Sequence, residues 1–153
     1  MNLPQTFYTK STEDTEALGA ELATQMLADA SLPPFVALYG DLGVGKTAFV
    51  RGFTRALAPA ALVRSPTFAL VNEYRAGSRT LFHFDMYRID SEDDLLSIGF
   101  YDYLDRNGIC LVEWSEKIPY ALPDAYLRVT LEKLGEEAPD HRRITMEAVE
   151  VTA

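Results

Sequence analysis

Apolar residues recur along this chain with two different periods, and the alternation between them outlines its architecture. Phe35-Val36-Ala37-Leu38-Tyr39 and Ile109-Cys110-Leu111-Val112 are unbroken apolar runs of strand length, the pattern of strands covered on both faces in a parallel sheet. The second of these predicts a strand over 109–114. Leu18, Leu22, Met26 and Ala30 fall at helical spacing, as do Phe49, Val50, Phe53, Ala56 and Leu57. Ser11, followed three residues later by Asp14, resembles a capping box, so a helix is expected from there to about Ala30. Pro33-Pro34 bars its continuation. Ser91-Glu92-Asp93-Asp94 marks another helix start, with a short helix ending near Gly99 and a further one over 101–106 closed by Asn107-Gly108.

The remaining segments read as strands. Residues 5–10 form a short one. Residues 68–75 and 80–85 flank the turn-like Ala76-Gly77-Ser78-Arg79 and predict a hairpin; residues 126–132 and 144–149 alternate around a polar loop over 135–142 and predict a closing antiparallel pair. No repeat, low-complexity segment or linker interrupts the order. The expectation is one α/β domain over 1–153. It has a central parallel sheet, added antiparallel strands and hairpins, and helices on both faces.

Between the first buried run and the helix that follows lies Gly40-Asp41-Leu42-Gly43-Val44-Gly45-Lys46-Thr47. It fills every fixed position of the phosphate-binding pattern G-x-x-x-x-G-K-[ST]. Glycines let the backbone turn its N–H groups inward into a concave anion site, and the strand–loop–helix order puts a helix N-terminus there as well. Lys46 can reach β- and γ-phosphates, and Thr47 offers a hydroxyl to Mg²⁺, so the single α/β domain is expected to be of P-loop NTPase-like design.

Composition narrows the partners. The chain has 153 residues, 48% hydrophobic and 24% charged, ordinary for a soluble globular protein. Fourteen Lys and Arg against 23 Asp and Glu give a net charge of −9. Such a balance argues against a direct grip on nucleic acid, which needs clustered basic side chains; a role near RNA would pass through a partner. One cysteine, Cys110, excludes an intramolecular disulfide and fits a reducing compartment, and it lies in an apolar run as an inert thiol. One cysteine and two histidines do not suit a structural zinc site. No apolar run reaches the ~20 residues of a membrane span, and residues 1–5 do not begin a signal peptide, so a cytoplasmic protein is expected.

A phosphate loop with Mg²⁺ calls for a carboxylate at the end of a neighbouring strand. Two candidates exist, Asp85 after Leu81-Phe82-His83-Phe84 and Glu113 after Cys110-Leu111-Val112. The residues alone do not divide the work between them, and either one can instead cap its strand or pair with Arg88. Arg64-Ser65-Pro66-Thr67 stands where phosphate-loop proteins place a segment that reads the γ-phosphate; Ser65 or Thr67 can reach metal or phosphate there, or the tetrapeptide is a plain proline turn. Trp114, the single tryptophan, either stacks near a base or fills the core. An Asn/Thr-Lys-x-Asp element for guanine is absent, which favours adenine.

These residues together resemble the TsaE (YjeE) family of bacterial ATPases of tRNA threonylcarbamoyladenosine biosynthesis. The shared elements are the loop at 40–47, Arg51-Gly52, Ser65-Pro66-Thr67, His83-Phe84-Asp85-Met86-Tyr87-Arg88 and Leu111-Val112-Glu113-Trp114, in order from about Ser11 to Trp114. The resemblance implies an ATP/ADP and Mg²⁺ site. Gly43, Gly45 and Lys46, with the adjoining amides of Asp41, Leu42, Val44, Thr47 and Ala48, would bind phosphates. Thr47 and Glu113 would hold the metal, and Asp85 would serve hydrolysis beside Lys46 and Glu113. Ser65-Pro66-Thr67 would respond to nucleotide, and Thr12 and Trp114 would lie by the adenine. It further implies a complex with TsaD and TsaB proteins. ATP hydrolysis there would support repeated threonylcarbamoyl transfer to adenosine 37 of tRNAs reading codons that start with A. The tRNA would be met only through the complex. Two other readings stay open on the residues themselves: a small-molecule phosphotransferase, and a nucleotide-gated binding module with little hydrolysis.

Overall fold

The computed structural model describes residues 2–41, 43–60, 63 and 70–151. Seven strands form one sheet: β1 (Gln5–Thr9), β2 (Phe35–Tyr39), β3 (Val71–Ala76), β4 (Arg79–Asp85), β5 (Gly108–Glu113), β6 (Ala125–Lys133) and β7 (Arg142–Glu150). Their spatial order is β1-β7-β6-β2-β5-β4-β3. The four inner strands β6, β2, β5 and β4 run parallel, while β3 adds antiparallel at one edge and β7 and then β1 at the other. Both expected hairpins are present, β3 with β4 and β6 with β7.

Among the described residues four α-helices cover the two faces: α1 (Thr12–Ala28), α2 (Lys46–Leu57), α3 (Glu92–Ser97) and α4 (Phe100–Leu104). Strand side chains alternate between the layers. Val36, Leu38, Leu111 and Leu81 pack with Leu18, Leu22, Phe49 and Phe53 of α1 and α2. Phe35, Ala37, Val112, Phe82 and Phe84 pack on the opposite side with Leu95 and Phe100 of α3 and α4. Strand β2, covered on both faces, is therefore apolar at every position, as its unbroken run indicated.

The caps behave as their chemistry requires. Ser11 Oγ accepts the Asp14 N–H at 3.1 Å, and the Asp14 carboxylate reaches back to the Lys10 N–H at 3.0 Å. Ser91 repeats the arrangement with Asp94. The structure corrects the other end of α1. Helix α1 stops at Ala28, and Ala30 is exposed in a turn rather than part of the apolar stripe. The reason is Asp29, whose carboxylate takes the Ser31 N–H at 2.9 Å and the Ser31 hydroxyl at 2.5 Å, a local turn that competes with the helix. Trp114 also departs from its expected strand, because β5 ends at Glu113 and Trp114 takes a left-handed conformation with φ 59°. Residues 68 and 69, the start of the expected third strand, lie outside the described residues.

The two long helices meet backbone to backbone. A β-carbon on Gly52 would stand 1.8 Å from the Glu16 carbonyl oxygen, and one on Gly19 would stand 2.2 Å from that of Phe49. Neither space exists, so the helices can approach this closely only with glycine at both points. Gly52→Ala should therefore push α1 off α2 and lower unfolding stability by about 1–3 kcal/mol, the scale of an overpacked interior. Urea denaturation checks it: an unchanged midpoint would show that the two helices are free to separate at no cost.

Candidate functional site

The chain leaves β2 at Tyr39 and enters α2 at Lys46, and β2 lies between β5 and β6 in parallel register. Open sheets of this kind bind ligands in the crevice at the carboxyl ends of such strands. Gly45, with φ 97°, caps α2 in a left-handed conformation that a β-carbon would strain, and it leaves the first N–H groups of the helix facing outward. A cavity of about 510 Å³ opens there, lined by Thr12, Gly43, Gly45, Lys46, Thr47, Ala48, Arg51, Asp85, Glu113, Trp114 and Arg142. Its neighbour, about 680 Å³, is lined by Asp41, Val44, Glu116, Glu132 and Lys133 among others. The neighbour's carboxylates outnumber its one ammonium, so the smaller cavity is the better anion site.

Lys46 is 5% exposed. Its ammonium donates to the Gly40 carbonyl at 2.6 Å and sits 3.6 Å above the centre of the Trp114 ring. Burial pushes its pKa down, and the carboxylates of Glu116, Glu113, Asp85 and Asp41 oppose that. An ammonium over an indole face gains about 0.5–2 kcal/mol. Trp114, in a left-handed turn, presents a face to Lys46, and its ring also meets Tyr87 at 5.0 Å between centroids.

Parallel pairing of β4 with β5 sets Asp85 level with Glu113. His83, two residues before Asp85, shares its face of the strand, and its Nε2 stands 2.6 Å from Glu113 Oε2. A carboxylate oxygen accepts, and an imidazole N–H at Nε2 donates to it in this bond. That bond holds Oε2, and Glu113 also lines the cavity. His83 is 2% exposed, and its Nδ1 has no partner among the described residues. Asp85 Oδ1 accepts the Tyr87 N–H at 3.0 Å, which turns the chain at the strand end. Burial raises the Asp85 pKa; the Glu113 charge adds to this, while the Tyr87 N–H, His83 and Lys46 lower it.

Of the residues singled out in the sequence, Lys46, Thr47, Ala48, Gly43, Gly45, Asp85, Glu113, Thr12 and Trp114 share this cavity, and Asp41 and Val44 line the next one. Leu42 and the Ser65-Pro66-Thr67 segment lie outside the described residues. Trp114 packs only in part on the core and lines the cavity with the rest of its ring. Three residues escaped sequence reasoning. His83 stood within a motif, and its period-2 relation to Asp85 marked a shared face, yet its bond to Glu113 depends on the β4–β5 register. Glu116, which takes the Gly40 N–H at 3.4 Å, and Arg142 carry no sequence signal. The donor set suits a hard cation beside an anion: the exposed Thr47 hydroxyl and a Glu113 carboxylate steadied by His83.

Fold and glycine loop define an α/β protein of P-loop-like architecture. The family model described as "Threonylcarbamoyl adenosine biosynthesis protein TsaE" matches residues 9–144. The protein named tRNA threonylcarbamoyladenosine biosynthesis protein TsaE in Bacillus subtilis is 37% identical over 141 residues, covering 92% of this chain and 84% of that one. Its namesake in Haemophilus influenzae is 41% identical over 97 residues, or 63% of this chain and 61% of that one. The crystal structure of Bacillus subtilis YdiB superposes with a TM-score of 0.73 at 31% identity, covering 98% of this chain and 88% of that one. The chain belongs to the TsaE family.

Asp85 yields a pH-dependent prediction. Its folded pKa is raised above the unfolded value of 3.8, so its favourable contribution is complete below that value and is lost as pH rises through the folded pKa. At neutral pH the ionised group is a cost. Asp85→Asn keeps an acceptor for the Tyr87 N–H and removes the charge. The variant should melt above the parent at pH 7, with the difference shrinking as pH falls towards 4. A variant that melts below the parent at both ends of that range would mark Asp85 as a structural ion.

Proposed function

We propose that this chain is a Mg²⁺-dependent ATPase that supports threonylcarbamoylation of adenosine 37 in tRNAs reading codons that start with A, as a cytoplasmic accessory subunit of a TsaD–TsaB complex. The observation that carries the reading is the convergence of Lys46, Thr47, Asp85 and Glu113 on one cavity at the N-terminus of α2. Membership of the TsaE family, and relatives named for tRNA threonylcarbamoyladenosine biosynthesis, supply the pathway. The net charge of −9 accords with tRNA held by partners rather than by this chain.

In this reading the loop amides and the α2 N-terminus receive the phosphates. Lys46 exchanges the Gly40 carbonyl and the Trp114 face for the β- and γ-phosphates, a charge-assisted contact stronger than either. Thr47 and Glu113 would hold Mg²⁺, which when bound neutralises phosphate charge. His83 keeps the Glu113 carboxylate turned for that purpose. Asp85 orients the water that attacks the γ-phosphorus as the bond to the β,γ-bridging oxygen breaks, and positioning of this kind is most of what phosphoryl transfer asks of a protein. Thr12 and Trp114 line the wall left for the base.

Three variants test the assignment. Lys46→Ala should weaken ATP binding or abolish turnover in a folded chain. Glu113→Ala should blunt the magnesium dependence of hydrolysis more than it weakens nucleotide binding. Asp85→Asn should retain ATP affinity while single-turnover hydrolysis drops roughly ten- to a thousandfold, the scale of one positioned group. ATP turnover by the purified chain, with and without TsaD and TsaB, decides the larger claim: stimulation by the pair supports the accessory role. ADP formation that depends instead on an added metabolite would make the chain a phosphotransferase.

A further inference from the structure

Arg142 opens β7 at the far side of β6 from the phosphate loop. Its backbone is tied on both flanks, level with Thr9 of β1 and with Lys133 of β6. From that fixed base its side chain reaches across to the loop. Nε donates to the Val44 carbonyl at 2.9 Å, and Nη2 donates to the Gly43 carbonyl at 3.3 Å. Nη1 donates to the carbonyls of Pro139 at 2.6 Å and His141 at 2.8 Å, within its own hairpin connection. Arg51, Arg106, Arg128 and Arg143 each face a glutamate, whereas no carboxylate lies within ion-pair distance of Arg142 among the described residues. Among the described residues every hydrogen bond of this guanidinium goes to a backbone carbonyl, and it also lines the cavity.

The consequence follows from the planar peptide. In a trans peptide the C=O of one residue and the N–H of the next point in opposite directions. A cation that holds the Gly43 and Val44 carbonyls on one side of the loop therefore turns the Val44 and Gly45 N–H groups to the other. Those are amides of the anion cradle. We propose that Arg142 is a positioning residue for the phosphate loop: it preorganises the anion-binding amides by holding the carbonyl edge of the same peptides, through a fork that a single ammonium cannot reproduce. The inference rests on the nucleotide-site reading for its functional consequence but not for its structural one.

The test separates the two. Backbone ¹⁵N relaxation in the nucleotide-free protein reads the loop directly. The Val44 and Gly45 amides should be ordered in the parent, near the ~0.85 of rigid backbone, and fall towards ~0.6 in Arg142→Met, with the sheet unchanged. ADP affinity should fall about tenfold, the scale of one or two lost charge-assisted bonds, and KM for ATP should rise more than kcat falls. Arg142→Lys keeps the charge without the fork and should recover only part of the affinity and of the order. It also serves as the second variant should Arg142→Met unfold. Full recovery by lysine, or parental order parameters in both variants, would overturn the proposal. Failure of the parent itself to bind ADP would sink the nucleotide reading, while the relaxation data would still decide the clasp.

Discussion

A nearly buried ammonium is the constraint on which the rest of this site depends. Lys46 follows the loop at the first turn of α2, and burial there disfavours its charge. The surroundings compensate in several ways at once. Gly40 supplies a carbonyl, Trp114 an aromatic face, and Glu113, Asp85, Glu116 and Asp41 an acidic field. Two of those carboxylates sit at strand ends and one in the short helical turn Ser115–Lys117. The left-handed residue at 114 makes sense in this light. Continuing β5 by one more extended residue would not present the indole to the cation.

The same acidic field has a cost, visible at Asp85. Burial and the neighbouring Glu113 both oppose its ionisation. The strain between them is divided by different partners. Glu113 is fastened by His83, whereas Asp85 is held by a backbone N–H only two residues on. One carboxylate is thus locked from within the core and the other sits on the chain as it turns out of the sheet. That difference in tethering suits the separate roles proposed for them, a fixed ligand for a metal and a group that handles water.

The antiparallel flanks are more than edge cover. The β6–β7 hairpin brings Arg142 onto the Gly43 and Val44 carbonyls of the phosphate loop, and β1 on the outer side of β7 leads straight into α1, whose first residue lines the cavity. Strand additions outside the parallel core therefore touch the site twice. Close packing of α1 on α2 through Gly19 and Gly52 completes this link, since α2 begins at the loop itself.

Much of this was legible in the chain. Phe35 to Tyr39, the glycine loop and the stripe from Phe49 to Leu57 specify strand, turn and helix through local sterics and periodicity, which act over a few residues and leave a readable pattern. Asp85 and Glu113 could be named because each ends an apolar run. The caps at Ser11 and Ser91 were equally local. Other features depend on which strands become neighbours and in what register. The sequence could not show that Asp85 stands level with Glu113, that His83 holds the latter, or that Trp114 turns back over Lys46. Arg142 is the extreme case, 98 residues from the carbonyl its Nε holds. Contacts of that kind leave no periodicity, because they arise from the geometry of the assembled sheet, where residues far apart in the chain are brought within a hydrogen bond of one another.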